Sequence, residues 1–181
     1  MKKASTVLMA AVIAIALAGC TSVNAQESSN PTPSASENPY GGFAVDAPAA
    51  NEVILTVIGP SETDEYTMTD LRALATSPIK IVEPFVKAEQ AFTGVPLATL
   101  FEAAGIKGTD KVSTIALNEY VYDDLASKFT DSDALLAIDR DGAEIPMDQG
   151  GPIRIIYPTG SKYFSFLDSW NWSLRTIEVK K

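Results

Sequence analysis

FTGVPLATLFEAAG, residues 92–105, is the stretch on which the fold prediction rests. Pro96 stands where a helix begins, since its fixed φ suits the first turn and its missing N–H would have no intrahelical partner. Gly105 predicts that the helix ends in the left-handed conformation. Between them, an apolar face at helical spacing is formed by Leu97, Leu100, Phe101 and Ala104. The stretch therefore predicts a short amphipathic helix packed on a core.

Short β-rich runs flank this helix on both sides. They cover residues 53–58, 64–67, 79–86, 111–118, 134–139, 153–157 and 172–179. Two further short helices are predicted, one over 70–75 with Thr69 as its N-cap and one ending at residue 129 with Asp123 or Asp124 as its cap. Because strands outnumber helices and the two do not alternate regularly, we expect an α+β fold with a mixed, largely antiparallel sheet and short helices.

The first 19 residues have the pattern of an export signal. Lys2 and Lys3 form a positive start, an uncharged apolar run follows, and the run ends in Leu-Ala-Gly directly before Cys20. This ending resembles a bacterial lipobox, in which the cysteine is acylated and the chain is cut before it. We therefore predict a signal peptide over 1–19 and a lipid anchor on Cys20, which would hold the protein outside the cytoplasm on the cell membrane. A rival cut after Ala25 would release a soluble protein instead.

Composition divides the rest of the chain into a tether and one domain. Residues 20–51 are polar and rich in Ser and Pro, which predicts a flexible tether. Residues 52–181 carry 12 Lys and Arg against 20 Asp and Glu, a formal charge of −8, which argues against a nucleic-acid partner. The chain has no His and a single Cys, so zinc sites of the Cys/His type, Ser-His-Asp triads and Cys-His dyads are excluded. No catalytic residue and no metal ligand is predicted.

Five segments, taken in order, are similar to the oxidoreductase molybdopterin-binding domain, the fold of the sulfite oxidases. They are residues 54–59, 66–71, 92–105, 135–158 and 172–179. The resemblance covers about residues 52–181. It implies a molybdenum pterin-dithiolene cofactor whose metal is ligated by a Cys thiolate from the loop before the Gly-x-Pro-Leu helix.

The chain departs from that family at the metal ligand. The loop that the resemblance assigns to the thiolate, about 81–91, contains no Cys, and lipidation would consume the thiol of Cys20. Histidines that contact the cofactor in the family are also missing, and Gln149 stands before the Gly-Gly-Pro segment. Glu83 or Glu89 could offer an oxygen ligand instead, but soft metal sites prefer thiolates, and we interpret both residues as surface carboxylates. No cofactor is therefore expected, and molybdopterin is implied by the resemblance alone.

An aromatic stretch, residues 157–172, is the best candidate for a ligand site. The resemblance places the loop after the preceding strand near the cofactor pocket. The candidate ligand-binding residues are Arg154, Tyr157, Lys162, Tyr163 and Trp170. Their rings and cations would suit a planar or anionic ligand. The alternative is that the tryptophans pack the sheet and the other rings cover an edge of the core.

These observations predict a lipid-anchored extracytoplasmic protein, a binding or interaction module without catalysis. Its expected partners are the membrane, through the anchor, and a small ligand or an envelope protein. The alternative in the enzyme class is a molybdenum cofactor-dependent oxidoreductase with an atypical ligand set. A purely structural envelope protein is a third interpretation.

Overall fold

The computed structural model describes residues 46–181. The strands are β1 Val53–Ile58, β2 Thr63–Thr67, β3 Ile79–Glu83, β4 Ala88–Pro96, β5 Lys111–Ala116, β6 Val121–Leu125, β7 Leu135–Arg140, β8 Ala143–Glu144, β9 Arg154–Ile156 and β10 Leu174–Val179. The helices are α1 Met68–Leu74, α2 Leu97–Ala103 and α3 Ala126–Thr130. The predicted signal peptide, Cys20 and the tether as far as residue 45 lie outside the described residues. Within residues 46–181, no helix is long and apolar enough to cross a membrane.

The strands form two five-stranded sheets. The first has the order β2-β1-β10-β5-β6, in which β1 and β10 run parallel and the other neighbours are antiparallel. The second has the order β3-β4-β7-β8, with β9 also paired to β7, and all of its pairs are antiparallel. The predicted α+β class with a mixed, largely antiparallel sheet is therefore confirmed.

The Gly-x-Pro-Leu stretch joins β4 to α2 at the centre of the core. A Cβ atom on Gly94 would lie 2.2 Å from the carbonyl oxygen of Leu136 on β7, so only glycine lets these two strands approach. Leu97, Leu100 and Phe101 of α2 are all buried. Pro96 is the N-cap, so the helix begins at Leu97, one residue later than predicted. Gly105 follows the C-cap with φ +68°.

Local capping explains where α1 begins. The N-cap is Thr67, not Thr69, because Thr67 and Asp70 form a reciprocal capping box. The amide of Thr67 donates to the Asp70 carboxylate at 2.9 Å, and the amide of Asp70 donates to the Thr67 hydroxyl at 3.3 Å. The helix therefore starts two residues before the predicted position.

Asp123 and Asp124 were expected to cap a helix, and they lie in strand β6 instead. The Asp123 carboxylate accepts hydrogen bonds from Lys180 and from Ser113, both at 2.6 Å, and these lower its pKa. Burial opposes ionisation of Asp124, but the hydrogen bond from Lys128 at 2.8 Å and two others hold its pKa below the usual value. Pairing with residues on neighbouring elements has therefore replaced local capping.

A substitution at Leu100 tests whether α2 is part of the hydrophobic core. Replacing Leu100 by Ala removes a side chain with no exposed surface, and the lost burial and the cavity should together cost about 2–5 kcal/mol of unfolding free energy. Urea denaturation measures this cost. Leu74→Ala, at a side chain that is 40% exposed, is the control and should change stability much less. Equal, small effects would show that α2 is peripheral.

Candidate functional site

The site is organised around the β3–β4 hairpin, which contains residues 81–91, the loop that the resemblance assigns to the thiolate. The strands run from Ile79–Glu83 and Ala88–Pro96, so only four residues form the turn between them. Glu83 ends β3, and one of its carboxylate oxygens, Oε2, accepts hydrogen bonds from the amides of Phe85 and Val86, both at 2.8 Å. The carboxylate therefore fixes the turn that follows it.

The other carboxylate oxygen of Glu83 binds Arg154 of β9. The guanidinium Nη2 lies 2.9 Å from Oε1, and both side chains have no exposed surface. Burying an unpaired charge would be very unfavourable, so each of these residues depends on the other. This buried pair joins two strands that flank β4 and β7 in the same sheet.

Two aromatic rings cover the buried pair. The guanidinium carbon of Arg154 lies 4.3 Å from the ring centre of Trp172 and 5.9 Å from that of Phe85. The two rings meet edge to face, with their centres 4.7 Å apart. A Cβ atom on Gly150 would lie 3.1 Å from the Trp172 ring, so glycine leaves room for the indole. The cation is thus held inside a layer of rings.

The interpretation of Glu83 as a surface carboxylate is wrong. Its side chain points into the protein and pairs with Arg154 there. Glu89, on the other strand of the hairpin, is a surface residue as expected, 63% exposed and 3.0 Å from Lys80. Arg154, predicted as a ligand-binding residue, lies on a strand with both faces buried.

An open pocket of about 270 Å³ lies on the outer side of this aromatic layer, and we call it the aromatic pocket. Its walls include Phe85, Tyr120, Leu167, Asp168, Trp170 and Trp172. The hydroxyl of Tyr120 donates to the backbone carbonyl of Asp168 at 3.0 Å, which joins the β5–β6 turn to the loop before β10. Three separate segments of the chain therefore build the pocket.

The predicted ligand-binding residues are divided between this pocket and its surroundings. Trp170 lines the pocket, and Arg154 lies behind its wall. Tyr157 is buried beneath Trp170, with ring centres 5.8 Å apart, and burial raises its pKa well above the usual value. Tyr163 is partly buried and Lys162 is exposed, and neither lines the pocket.

Sequence reasoning missed Phe85 and Tyr120 and gave Trp172 no ligand role. Phe85 lies in the hairpin turn, and Tyr120 lies in the turn between β5 and β6, 35 residues away in the chain. Nothing in local periodicity relates the two positions. Their exposure, 39% and 42%, is the feature that marks them, since large rings with that much free surface are typical of contact sites.

The sequence matches the model of one protein family. The sequence model of the oxidoreductase molybdopterin binding domain matches residues 76–178, more than half of the chain. The chain belongs to this family. Two of the five segments that resemble the family, residues 54–59 and 66–71, lie outside the matched range. No curated protein matches the chain significantly.

The fold of this family member is similar to that of the sulfane dehydrogenase SoxCD from Paracoccus pantotrophus. The TM-score is 0.56 at 17% sequence identity, and the match covers 75% of this chain. It covers only 40% of the SoxCD chain, so this protein spans less than half the length of that enzyme chain. At this identity the similarity shows the fold alone.

The residues of this family member do not fit a thiolate-ligated molybdenum centre. The family match, 76–178, contains no Cys and no His, and both carboxylate oxygens of Glu83 are already hydrogen-bonded within the protein. Within residues 46–181, no group of three or more His, Cys, Asp or Glu side chains is placed to hold a metal ion. Thiolate ligation of a soft metal therefore has no donor in the hairpin.

The four arginines each have a side-chain partner within the chain, which disfavours an anionic cofactor held by arginine. Arg154 pairs with Glu83, Arg175 with Glu119 at 2.7 Å, and Arg140 with Gln149. The remaining arginine, Arg72, bridges Asp139 at 3.1 Å and Glu144 at 2.9 Å. Every arginine of the chain thus has a side-chain partner on a neighbouring element.

Breaking the buried pair should be strongly destabilising. Glu83→Ala leaves the guanidinium of Arg154 buried without its counter-charge, and we expect a loss of about 3–5 kcal/mol of unfolding free energy in urea denaturation. Glu89→Ala is the matched control, since it breaks an exposed pair on the same hairpin and should have little effect. Similar small losses for both variants would contradict a structural role for the pair.

Proposed function

We propose that the protein is a lipid-anchored, extracytoplasmic binding module that keeps the family fold and works without molybdenum chemistry. The observation that carries the proposal is the buried Glu83–Arg154 pair. It lies in the hairpin to which the resemblance assigns the metal-ligating thiolate. The Glu83 carboxylate is fully buried and accepts hydrogen bonds from Arg154 and from two backbone amides, so both of its oxygens are already engaged within the protein.

The aromatic pocket supports a binding role. Phe85, Tyr120 and Leu167 are each at least 39% exposed and share one concave surface. Clustered exposed rings in a pocket cost solvation free energy unless a ligand or partner covers them. Fold membership alone does not give the family's activity, because function depends on the site.

The cellular place of the module is proposed from the sequence. The uncharged run before Cys20, the Ser/Pro-rich residues 20–51 and the folded part from residue 52 onward have the order of a signal peptide, an anchored tether and a domain. Acylation of Cys20 would hold the domain at the outer surface of a membrane. The formal charge of −8 over residues 52–181 supports a partner other than nucleic acid.

The first experiment measures molybdenum. The protein is matured in a host that makes the molybdenum cofactor, purified, and analysed for metal content. The proposal expects no molybdenum above a small fraction of one atom per chain. Stoichiometric molybdenum would favour the alternative, an oxidoreductase with an unusual ligand set. The sulfane dehydrogenase SoxCD, which has a similar fold, is an oxidoreductase by its name.

The second experiment tests the anchor. Cys20→Ser should move the protein from the detergent phase to the aqueous phase in detergent partitioning, because the serine cannot carry a thioether-linked lipid. Its thermal unfolding should match that of the wild type, since the described core begins at β1. A wild-type protein found in the aqueous phase would contradict the anchor and favour the cut after Ala25.

A further inference from the structure

We propose that the aromatic pocket binds the ammonium group of a small organic cation. This inference deepens the proposed function and rests on it. The sequence led us to expect a planar or anionic ligand, held by Arg154 and Lys162. The structure places neither cation on the pocket wall.

The walls have the chemistry that attracts cations. The aromatic side chains that line the pocket are Phe85, Tyr120, Trp170 and Trp172. Aromatic faces carry partial negative charge, and alkylammonium groups bind in cages of such rings. The inner side of the same layer already holds a cation, since Arg154 lies 4.3 Å from the Trp172 ring centre.

The charge around the pocket favours the same class of ligand. Asp168 belongs to the wall, and burial together with the charge of the Asp168 carboxylate raises the pKa of Tyr120. Among the described residues no Lys or Arg lines the pocket. Arg154 behind the wall is neutralised by Glu83 at 2.9 Å, so the pair adds no net charge. The domain as a whole is acidic, with a formal charge of −8 from residue 52 onward. An anion would enter against this field, and a cation would be drawn in.

The hydrogen bonds of the polar side chains in the pocket wall also bear on the class of ligand. The hydroxyl hydrogen of Tyr120 is used by the carbonyl of Asp168, which leaves the oxygen of Tyr120 as an acceptor. The side-chain amide nitrogen of Asn171 donates to the carbonyl and the hydroxyl of Thr114, at 2.8 and 3.1 Å. The Tyr120 oxygen therefore suits a ligand that donates a hydrogen bond or carries positive charge.

The size of the pocket limits what it can hold. Its volume, about 270 Å³, is below the range of roughly 300–1,000 Å³ of pockets that enclose a drug-sized ligand. The pocket suits a head group, such as a trimethylammonium or a protonated amine, with the rest of the ligand in solvent.

The experiment uses tryptophan fluorescence of the full-length protein in a nonionic detergent. The chain has two tryptophans, and both line the pocket, so the signal reports on this site. Choline is titrated against 3,3-dimethylbutan-1-ol, which has the same shape without the charge. We expect saturable binding of choline, about fivefold to tenfold tighter than any binding of the alcohol.

Two variants locate the interaction. Asp168→Asn should weaken choline binding, whereas Asp131→Asn, at an exposed aspartate in the turn after α3, should leave it unchanged. Both variants should keep the thermal unfolding of the wild type. Equal affinity for choline and the alcohol, no saturation by choline, or no effect of Asp168→Asn would overturn the inference.

Inorganic phosphate is the opposing probe. Saturable binding of phosphate with no binding of choline would overturn the proposed ligand class and leave the binding module standing. Stoichiometric molybdenum in the purified protein would instead contradict the proposed function itself. The two failures are therefore distinguished by separate measurements.

Discussion

The Glu83–Arg154 ion pair constrains the structure more than any other contact of the site. Two opposite charges with no exposed surface are stable only if their geometry is good and their remaining hydrogen-bonding atoms are satisfied. The carboxylate meets this requirement by accepting the amides of Phe85 and Val86, which also fixes the hairpin turn. The position of Phe85, and with it one wall of the aromatic pocket, thus follows from the burial of Arg154.

The same ion pair and its aromatic neighbours fill the interior beside the hairpin turn. The hairpin that the resemblance assigns to the metal ligand is closed by a carboxylate, an internal guanidinium and the rings of Phe85 and Trp172. Packed interiors tolerate few voids. Glu83 and its partners fill this part of the interior with side chains of this chain.

Much of the fold could be predicted from the sequence because its signals are local. Alternation located β1, β5 and β10, and the Gly-x-Pro-Leu stretch located α2. The contact between Glu83 and Arg154 could not be predicted, because the residues are 71 positions apart and no local pattern relates them. The prediction that Asp123 or Asp124 caps a helix was wrong for a similar reason. Their carboxylates bind Lys180 and Lys128 instead.

The buried pair and the pocket share one layer of rings, and this coupling has a physical consequence. Trp172 faces Arg154 on one side, and together with Phe85 it forms the pocket wall on the other. Without Glu83, the positive charge behind the rings would no longer be neutralised, and the field in the pocket would oppose a cation. The internal carboxylate therefore keeps Arg154 buried and neutralises the positive charge behind the pocket wall.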